Sequence, residues 1–310
     1  MRLYLVLRYC QLIVQPDFLS FGSSMKASDS SIVDAEDILF DSLQTLYDYH
    51  PITLTTQGSL FTYYHYPSNQ DPNKFPISIT LRTPDTQASN WSLHANSIWL
   101  SSIYLADHIA DLNLDFYVDP SGREKNKKKV RVLELGASAG LPSILVAKLF
   151  PEALVTVTDY PDDELIKTLK YNVEGNSVAD CCKVLPYAWG SDPTVILDNS
   201  SGFDVVIAAD TLWNPELHPI FIHSLKSTLK KSSSSRIHLV AGLHTGRYTI
   251  QAFLIHVQRN SGFQVESILE REATGSGTRV WDVFRSEEDE KERRRWIIWT
   301  TLAWEKSMIE

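Results

Sequence analysis

The spacing of apolar residues changes part of the way along the chain, and the upstream pattern predicts a small mixed unit. Apolar positions recur at helical spacing over residues 34–50 and predict an amphipathic helix. Residues 52–66 carry the β-branched and aromatic side chains typical of a hairpin, with Gly58 near the middle, and residues 77–82 predict a further strand. Helical spacing returns over residues 91–112 and predicts a second helix.

From residue 130 onwards, short apolar runs alternate with amphipathic segments. The predicted strands are 130–135, 153–158, 183–188, 203–209, 236–243 and 263–269, and the predicted helices are 141–150, 163–173, 216–229 and 249–260. Single helices between successive strands favour a parallel, doubly wound sheet. The last strand, 296–304, follows without an apolar crossover helix, which predicts an antiparallel insertion. The fold class is therefore α/β, with a seven-stranded sheet whose last strand is antiparallel.

The same pattern divides the chain. Met25 stands just before the first helix, so residues 1–30 are expected to be a disordered leader or a misannotated start. Residues 31–90 are expected to form an N-terminal helix and hairpin extension, and residues 91–310 the main domain. The acidic and basic run 287–295 has opposite charges at i, i+4 spacing and predicts a solvated helical face.

Composition narrows the possible partners and location. The formal net charge is −9, which argues against binding nucleic acid through bulk basicity. No apolar run reaches the ~18 to 20 residues that span a bilayer, so no membrane association is expected. Three cysteines, two of them adjacent at Cys181 and Cys182, do not support a disulfide framework. We expect a monomer in the cytoplasm, with the nucleus as second choice, and no histidine or cysteine spacing indicates a metal site.

The first motif is a strand, a turn of small residues and a helix, predicted by Val132-Leu-Glu-Leu-Gly-Ala-Ser-Ala-Gly-Leu-Pro142. In this arrangement the free backbone N–H groups of the turn and of the helix N-terminus can face a ligand. A dinucleotide fingerprint requires glycine where this loop has Ser138 and Leu141. The hydrolase pattern G-x-S-x-G is satisfied, and Ser138, Asp210 and His244 follow in the triad order. Against a hydrolase, no H-G-G-G loop lies upstream and too little parallel sheet precedes the loop.

A third chemistry, binding of S-adenosylmethionine, requires acids and an apolar wall at successive strand ends. Glu134 precedes the glycine loop. Asp159 ends the second strand of the series, where a carboxylate can accept both ribose hydroxyls. Trp189 follows the third strand and offers a wall for adenine. Asp159 could instead cap a helix, and Trp189 could instead pack in the core. The placement of these residues together at successive strand ends favours the cofactor site.

These residues resemble a known family. The chain is similar to the class I seven-strand methyltransferases and, within them, to the methyltransferase family 16 group of lysine methyltransferases, especially a fungal branch labelled nicotinamide N-methyltransferase-like. The resemblance extends over residues 91–304 and rests on Leu133-Glu-Leu-Gly-Ala-Ser-Ala-Gly-Leu-Pro142, Thr158-Asp-Tyr-Pro-Asp162, Tyr187-Ala-Trp-Gly190, Ala209-Asp-Thr-Leu-Trp-Asn214, Ser97-Ile-Trp-Leu100 and Tyr104-Leu-Ala-Asp107. It implies a Rossmann-like seven-stranded methyltransferase sheet.

The resemblance also implies a cofactor, S-adenosylmethionine, and positions for it. The implied cofactor-binding residues are Trp99, Glu134, Gly136, Ala137, Ser138, Gly140, Asp159, Tyr160, Trp189 and Ala209. Ser138 departs from the family, which usually has glycine there, and a serine fits if its backbone angles stay ordinary.

Methyl transfer to an amine needs alignment more than a covalent nucleophile. Asp210 and Asn214 are the candidates for orienting the acceptor, and Trp213 is the candidate for a wall. His244 offers a proton acceptor or, alternatively, is a hydrogen-bonded loop residue.

Four functions remain open from the sequence. The first is N-methylation of a protein amine, either a lysine side chain or an N-terminus, which implies a protein substrate. The alternatives are a small-molecule N-methyltransferase with a nicotinamide-like acceptor, a serine esterase that uses Ser138, Asp210 and His244, and a non-catalytic binding protein with the cofactor fold.

Overall fold

The computed structural model describes residues 52–66, 75–86, 88–117, 129–286 and 288–309. The predicted leader and the helix predicted over residues 34–50 lie outside these ranges. No helix of the described residues is long and apolar enough to cross a membrane.

The first described elements are two strands, β1 (Leu60–His65) and β2 (Ile77–Arg82), which pair antiparallel. The hairpin predicted within residues 52–66 is therefore wrong, because β1 takes its partner from β2. Residues 52–54 instead run beside the start of the next helix. There the N–H of Leu54 donates to the carbonyl of Ile98 at 2.9 Å, and Thr53 forms an isolated bridge with Trp99.

The single helix predicted over residues 91–112 is also wrong. The segment contains a 3₁₀ turn at Ala88–Leu93, helix α1 at Leu100–Asp107 and a second 3₁₀ turn at Ile109–Leu112. His94, with φ +51°, turns the backbone out of the helical region before α1. The break leaves an extended segment ending at Trp99, which is the N-cap of α1.

An eight-stranded sheet forms the centre of the molecule. Its strands are β3 (Arg131–Leu135), β4 (Leu154–Asp159), β5 (Cys182–Pro186), β6 (Val205–Ala209), β7 (Arg236–Gly242), β8 (Phe263–Glu272), β9 (Thr278–Val280) and β10 (Trp296–Trp304). The spatial order is β5-β4-β3-β6-β7-β10-β8-β9. The last strand, β10, lies between β7 and β8 and is antiparallel to both, as predicted. The short strand β9 is an addition to the predicted seven, and it pairs antiparallel with the outer edge of β8.

Helices connect the strands and cover both faces of the sheet. They are α2 (Leu141–Leu149), α3 (Asp163–Gly175), α4 (Thr194–Leu197), α5 (His218–Thr228), α6 (Arg247–Asn260) and α7 (Glu290–Arg294). Alternate residues of β3 enter different cores, Val132 on one face and Leu133 on the other. This layered arrangement places the carboxyl ends of β3, β4, β6 and β7 at one edge, where doubly wound sheets bind ligands.

The β1–β2 unit packs against this sheet domain through α3. The side chain of Asn172 bonds both backbone groups of Arg82, accepting from its N–H at 2.7 Å and donating to its carbonyl at 2.9 Å. Asn176 bonds Thr80 in the same way. Two amides thus replace a neighbouring strand at the edge of β2, and Ile79 lies in the same core as α2.

The charged run near the carboxyl terminus is only partly solvated. Glu290 and Arg294 pair along the exposed side of α7, as the spacing predicts. Glu288 differs, because its side chain is buried and forms ion pairs with Arg247 and Arg279. The prediction of a wholly solvated face is therefore wrong at this residue, since sequence spacing on one helix does not show partners from other elements.

Candidate functional site

The glycine loop between β3 and α2 forms the floor of the candidate site. Gly136 has φ +70°, and a Cβ placed on it would stand 3.1 Å from both Thr211 Cγ2 and Trp189 Cζ2. The side chains of Thr211 and Trp189, which follow the ends of β6 and β5, therefore lie close over the loop backbone, and we call the narrow space between them and Gly136 the gap. A side chain at Gly136 has no room there, and only glycine allows the loop backbone to approach these two side chains so closely.

Ser138 occupies the top of this loop in a left-handed conformation, with φ +49°. The condition under which a serine fits without strain, ordinary backbone angles, is therefore not met, and the observed angle explains why glycine suits this position. The Ser138 hydroxyl donates to the carbonyl of Ala95 at 2.7 Å, and its N–H donates to Asp159 Oδ2 at 2.6 Å. The hydroxyl proton is thus directed at a backbone carbonyl and away from any imidazole, which is unlike a triad serine.

Asp159, at the end of β4, is nearly buried beneath the loop. Its two carboxylate oxygens accept the N–H groups of Ser138 and Tyr160, the latter at 2.7 Å. Burial raises the pKa of Asp159 to about 6, against the lowering effect of these two hydrogen bonds. Each oxygen keeps a further lone pair for hydroxyl donors. The neighbouring Tyr160 is 42% exposed.

Glu134 lies in β3 below the loop and is fully buried. Its Oε2 accepts the N–H of Ser143, in the first turn of α2, at 3.0 Å. Burial raises the pKa of Glu134 to about 8, and the nearby charge of Asp159 acts in the same direction. The carboxyl group therefore joins the strand to the N-terminus of α2 while remaining poised to ionise near neutral pH.

Of the remaining predicted cofactor residues, only Trp189 is seen to line the gap, and Trp99 lies instead against His94 and His244. Trp189 packs against Phe221, with ring centroids 4.6 Å apart, so its indole forms a fixed wall. Ala137 is buried within the loop, and Ala209 ends β6 half-buried opposite it. Gly140 caps α2 with φ +83°.

Four aromatic side chains meet near the carboxyl ends of β6 and β7, and we call them the aromatic enclosure. They are His94, Trp99, Trp213 and His244. Trp99 and His244 stack, with centroids 5.4 Å apart and planes 20° apart. His94 stands edge-on to Trp213 at 4.9 Å and edge-on to Trp99 at 6.2 Å. Three separate chain segments thus deliver these rings to one place.

Asp210 and Asn214, the two predicted orienting residues, have different surroundings. Asp210 has φ +54°, and its Oδ1 accepts the N–H of Gly242 at 2.9 Å, which ties the end of β6 to the end of β7. Asn214 Oδ1 accepts the N–H of Glu216 at 3.0 Å and caps the following 3₁₀ turn. The Asp210 carboxylate lies beside the enclosure, whereas the Asn214 carbonyl is engaged in capping.

Two residues of the site are absent from the sequence-predicted set. Thr211 lines the gap, and its buried Oγ1 has no hydrogen-bond partner among the described residues. His94 completes the enclosure through a left-handed backbone angle that no sequence pattern announces. Thr211 directly follows Asp210, and this adjacency is the one available signal. The described residues contain no histidine, cysteine or carboxylate cluster able to hold a metal ion.

Comparisons with known proteins show what the chain is similar to. A family model described as lysine methyltransferase matches residues 85–260 of the chain. A Schizosaccharomyces pombe relative named protein N-terminal and lysine N-methyltransferase efm7 is 32% identical over 210 residues, which cover 64% of this chain and 74% of the relative. A Yarrowia lipolytica relative of the same name is 25% identical and covers 74% of this chain and 81% of its own. Among solved structures, the METTL16 MTase domain aligns with a TM-score of 0.43 and 14% identity, over 66% of this chain and 68% of that one.

Proposed function

The chain belongs to the lysine methyltransferase family, and from this premise we propose that it transfers a methyl group from S-adenosylmethionine to a protein amine. The observation that carries the proposal is the gap above Gly136, walled by Thr211 and Trp189 and lying beside the buried carboxylate of Asp159. It combines backbone access with an acid at the next strand end, which is the arrangement that a nucleoside with a free ribose requires.

The residues present fit S-adenosylmethionine. Asp159 has lone pairs for two ribose hydroxyls, and the Trp189 indole offers an apolar face for adenine. The Cγ2 methyl of Thr211 faces the gap and adds to its apolar wall. Ionised Glu134 favours the ammonium group of the methionine end. When bound, the cofactor supplies a methyl group activated on a sulfonium.

The chain's own contribution is to align the acceptor and exclude water. Trp99 and Trp213 present aromatic faces, which attract cationic and methylated amines. The Asp210 carboxylate accepts a hydrogen bond from the acceptor nitrogen and holds it in line with the methyl group. Asn214 supports this arrangement by fixing the turn that carries Trp213.

The names of the relatives favour a protein acceptor. They specify protein N-termini and lysines as the groups that those enzymes methylate. The acidic net charge of this chain suits a basic protein segment. Cys181 and Cys182 are free, which fits a reducing compartment, and we place the activity in the cytoplasm.

Transfer of a labelled methyl group tests the proposal. The purified protein is incubated with tritiated S-adenosylmethionine and a heat-treated extract of a Schizosaccharomyces pombe strain that lacks its own relative. We expect acid-precipitable label on lysine or N-terminal residues, and none with Asp159→Ala. Label on nicotinamide alone would indicate the small-molecule function. No transfer to either acceptor, with a folded sample, would contradict the proposal.

A further inference from the structure

His244 follows the carboxyl end of β7 and forms part of the aromatic enclosure. The stack on Trp99 holds one face of its imidazole. Neither ring nitrogen has a hydrogen-bond partner among the residues that the structure describes, so a nitrogen lone pair remains available. A loop histidine with a purely structural role normally bonds its neighbours through at least one nitrogen.

The position of the ring is fixed by the ends of two strands. Its Nδ1 lies 2.8 Å from the point where a Cβ on Gly242 would stand, and Oδ1 of Asp210 lies 3.7 Å from the same point. The imidazole and the carboxylate therefore flank the Gly242 backbone at the carboxyl ends of β7 and β6. Gly242 provides the space that the imidazole occupies.

Two residues next to the His244–Trp99 pair have left-handed backbone angles. His94 and Asp210 both have positive φ, at +51° and +54°, and they come from distant parts of the chain. Non-glycine residues with such angles persist where the surrounding structure holds them, and they often mark sites of chemistry. Here His94 lies edge-on to Trp99, the stacking partner of His244, and the Asp210 carboxylate lies beside Gly242.

An amine acceptor needs a base at this position. The reactive nitrogen is protonated in water near neutral pH, with ordinary pKa values of about 7.7–8.0 for an N-terminal amine and about 10.4 for lysine. Only the neutral amine has a lone pair for the methyl carbon. Imidazole is the side chain whose ordinary titration range lies nearest to neutral pH.

We propose that the aromatic enclosure receives the accepting amine and that His244 takes the proton which the amine loses. The inference rests on the proposed function. The N–H bond of the substrate ammonium breaks, its electron pair stays on nitrogen, and the proton binds the unprotonated imidazole nitrogen. The freed pair forms the N–C bond as the C–S bond of the methyl donor breaks, and those electrons remain on sulfur. The titratable groups around the His244–Trp99 pair are the Asp210 carboxylate, across the Gly242 backbone, and the His94 imidazole, edge-on to Trp99.

The test compares His244→Gln with wild type across pH. The probe is the extract from the labelled-transfer experiment, and His256→Gln, an exposed substitution on α6, is the matched control. We expect His244→Gln to lower kcat by roughly 100-fold or more near neutral pH. The deficit shrinks at alkaline pH, where solvent deprotonates the amine. S-adenosylhomocysteine affinity stays unchanged, and His256→Gln behaves as wild type.

Two further measurements support the test. The first leaves the imidazole in the protein, and the second does not depend on activity. Gly242→Ala, at a backbone angle that alanine tolerates, displaces the imidazole without removing it and lowers kcat in the same pH-dependent way. The second measurement is a proton NMR spectrum of the ligand-free protein, in which the His244 Cε1–H resonance is identified because it disappears in His244→Gln. The stacked Trp99 ring shifts this resonance upfield. In Trp99→Leu the resonance returns to its ordinary position.

The failures are distinguishable. Equal kcat for wild type and His244→Gln near neutral pH, or an unshifted resonance, would overturn the inference alone. Absence of transfer by the wild type would overturn the proposed function together with this inference.

Discussion

Replacing Gly136 with alanine separates the cofactor gap from ordinary backbone strain. Gly136 has φ +70°, and its new Cβ would meet Thr211 and Trp189 at 3.1 Å. Gly58 has φ +73° with no atom within 4 Å of its Cβ position, so Gly58→Ala is a matched control with the same strain and open space. A left-handed alanine costs about 1–2 kcal/mol. For a domain of this size each kcal/mol lowers Tm by about 2–4 °C.

The two variants diverge when ligand is added. Saturation with S-adenosylhomocysteine at about 100 times its Kd stabilises a binding-competent protein by about 2.7 kcal/mol. Thermal unfolding with and without this ligand should show the full stabilisation for wild type and Gly58→Ala, and almost none for Gly136→Ala. Equal stabilisation of Gly136→Ala and Gly58→Ala would refute the assignment of the gap to the cofactor.

Three further predictions follow from buried groups. Glu270→Gln breaks a fully buried ion pair with Arg247, in which Nη1 and Oε1 are 2.6 Å apart. It should lower the free energy of unfolding, measured in urea, by roughly 3–5 kcal/mol. The control is Glu266→Gln, which breaks the exposed pair with Arg236 and should lower this free energy by less than about 1 kcal/mol. Similar losses for both would contradict this. Ser138→Val places a β-branched residue at φ +49° and should cost about 2 kcal/mol in the same assay, while Ser138→Gly stays within about 1 kcal/mol. Burial raises the pKa of Glu134 to about 8, and we propose that its ionised form contacts the cofactor's ammonium. Calorimetric affinity should therefore rise between about pH 6 and about pH 8, at most about tenfold per unit, and Glu134→Gln should flatten the profile.

The sheet was largely predictable because its signal is local. Single helices between apolar strands predicted the parallel order, and the missing crossover before Trp296–Trp304 predicted the antiparallel insertion. The errors occurred where long-range partners override local pattern. The strand β1 pairs with β2 across an intervening segment, and the helix predicted over 91–112 breaks because residues 52–54 pair beside Trp99.

The site was predictable in its strand-end residues and unpredictable in its geometry. Asp159 follows an apolar strand, so its place at the sheet edge could be inferred, and its cofactor role stays a prediction. The left-handed angles of His94 and Ser138 leave no trace in residue spacing. Glu288 shows the same limit, because its buried partners come from α6 and the β9 edge.

The most direct test of the central claim is a calorimetric titration of the purified protein with S-adenosylmethionine, alongside Asp159→Ala and the isosteric Asp159→Asn. The account predicts saturable binding with a single site for the wild type. Both variants should remain folded by circular dichroism and lose most of the affinity, because the carboxylate that accepts the ribose hydroxyls is gone. A folded wild type that does not bind, or variants that bind as tightly as wild type, would contradict the account.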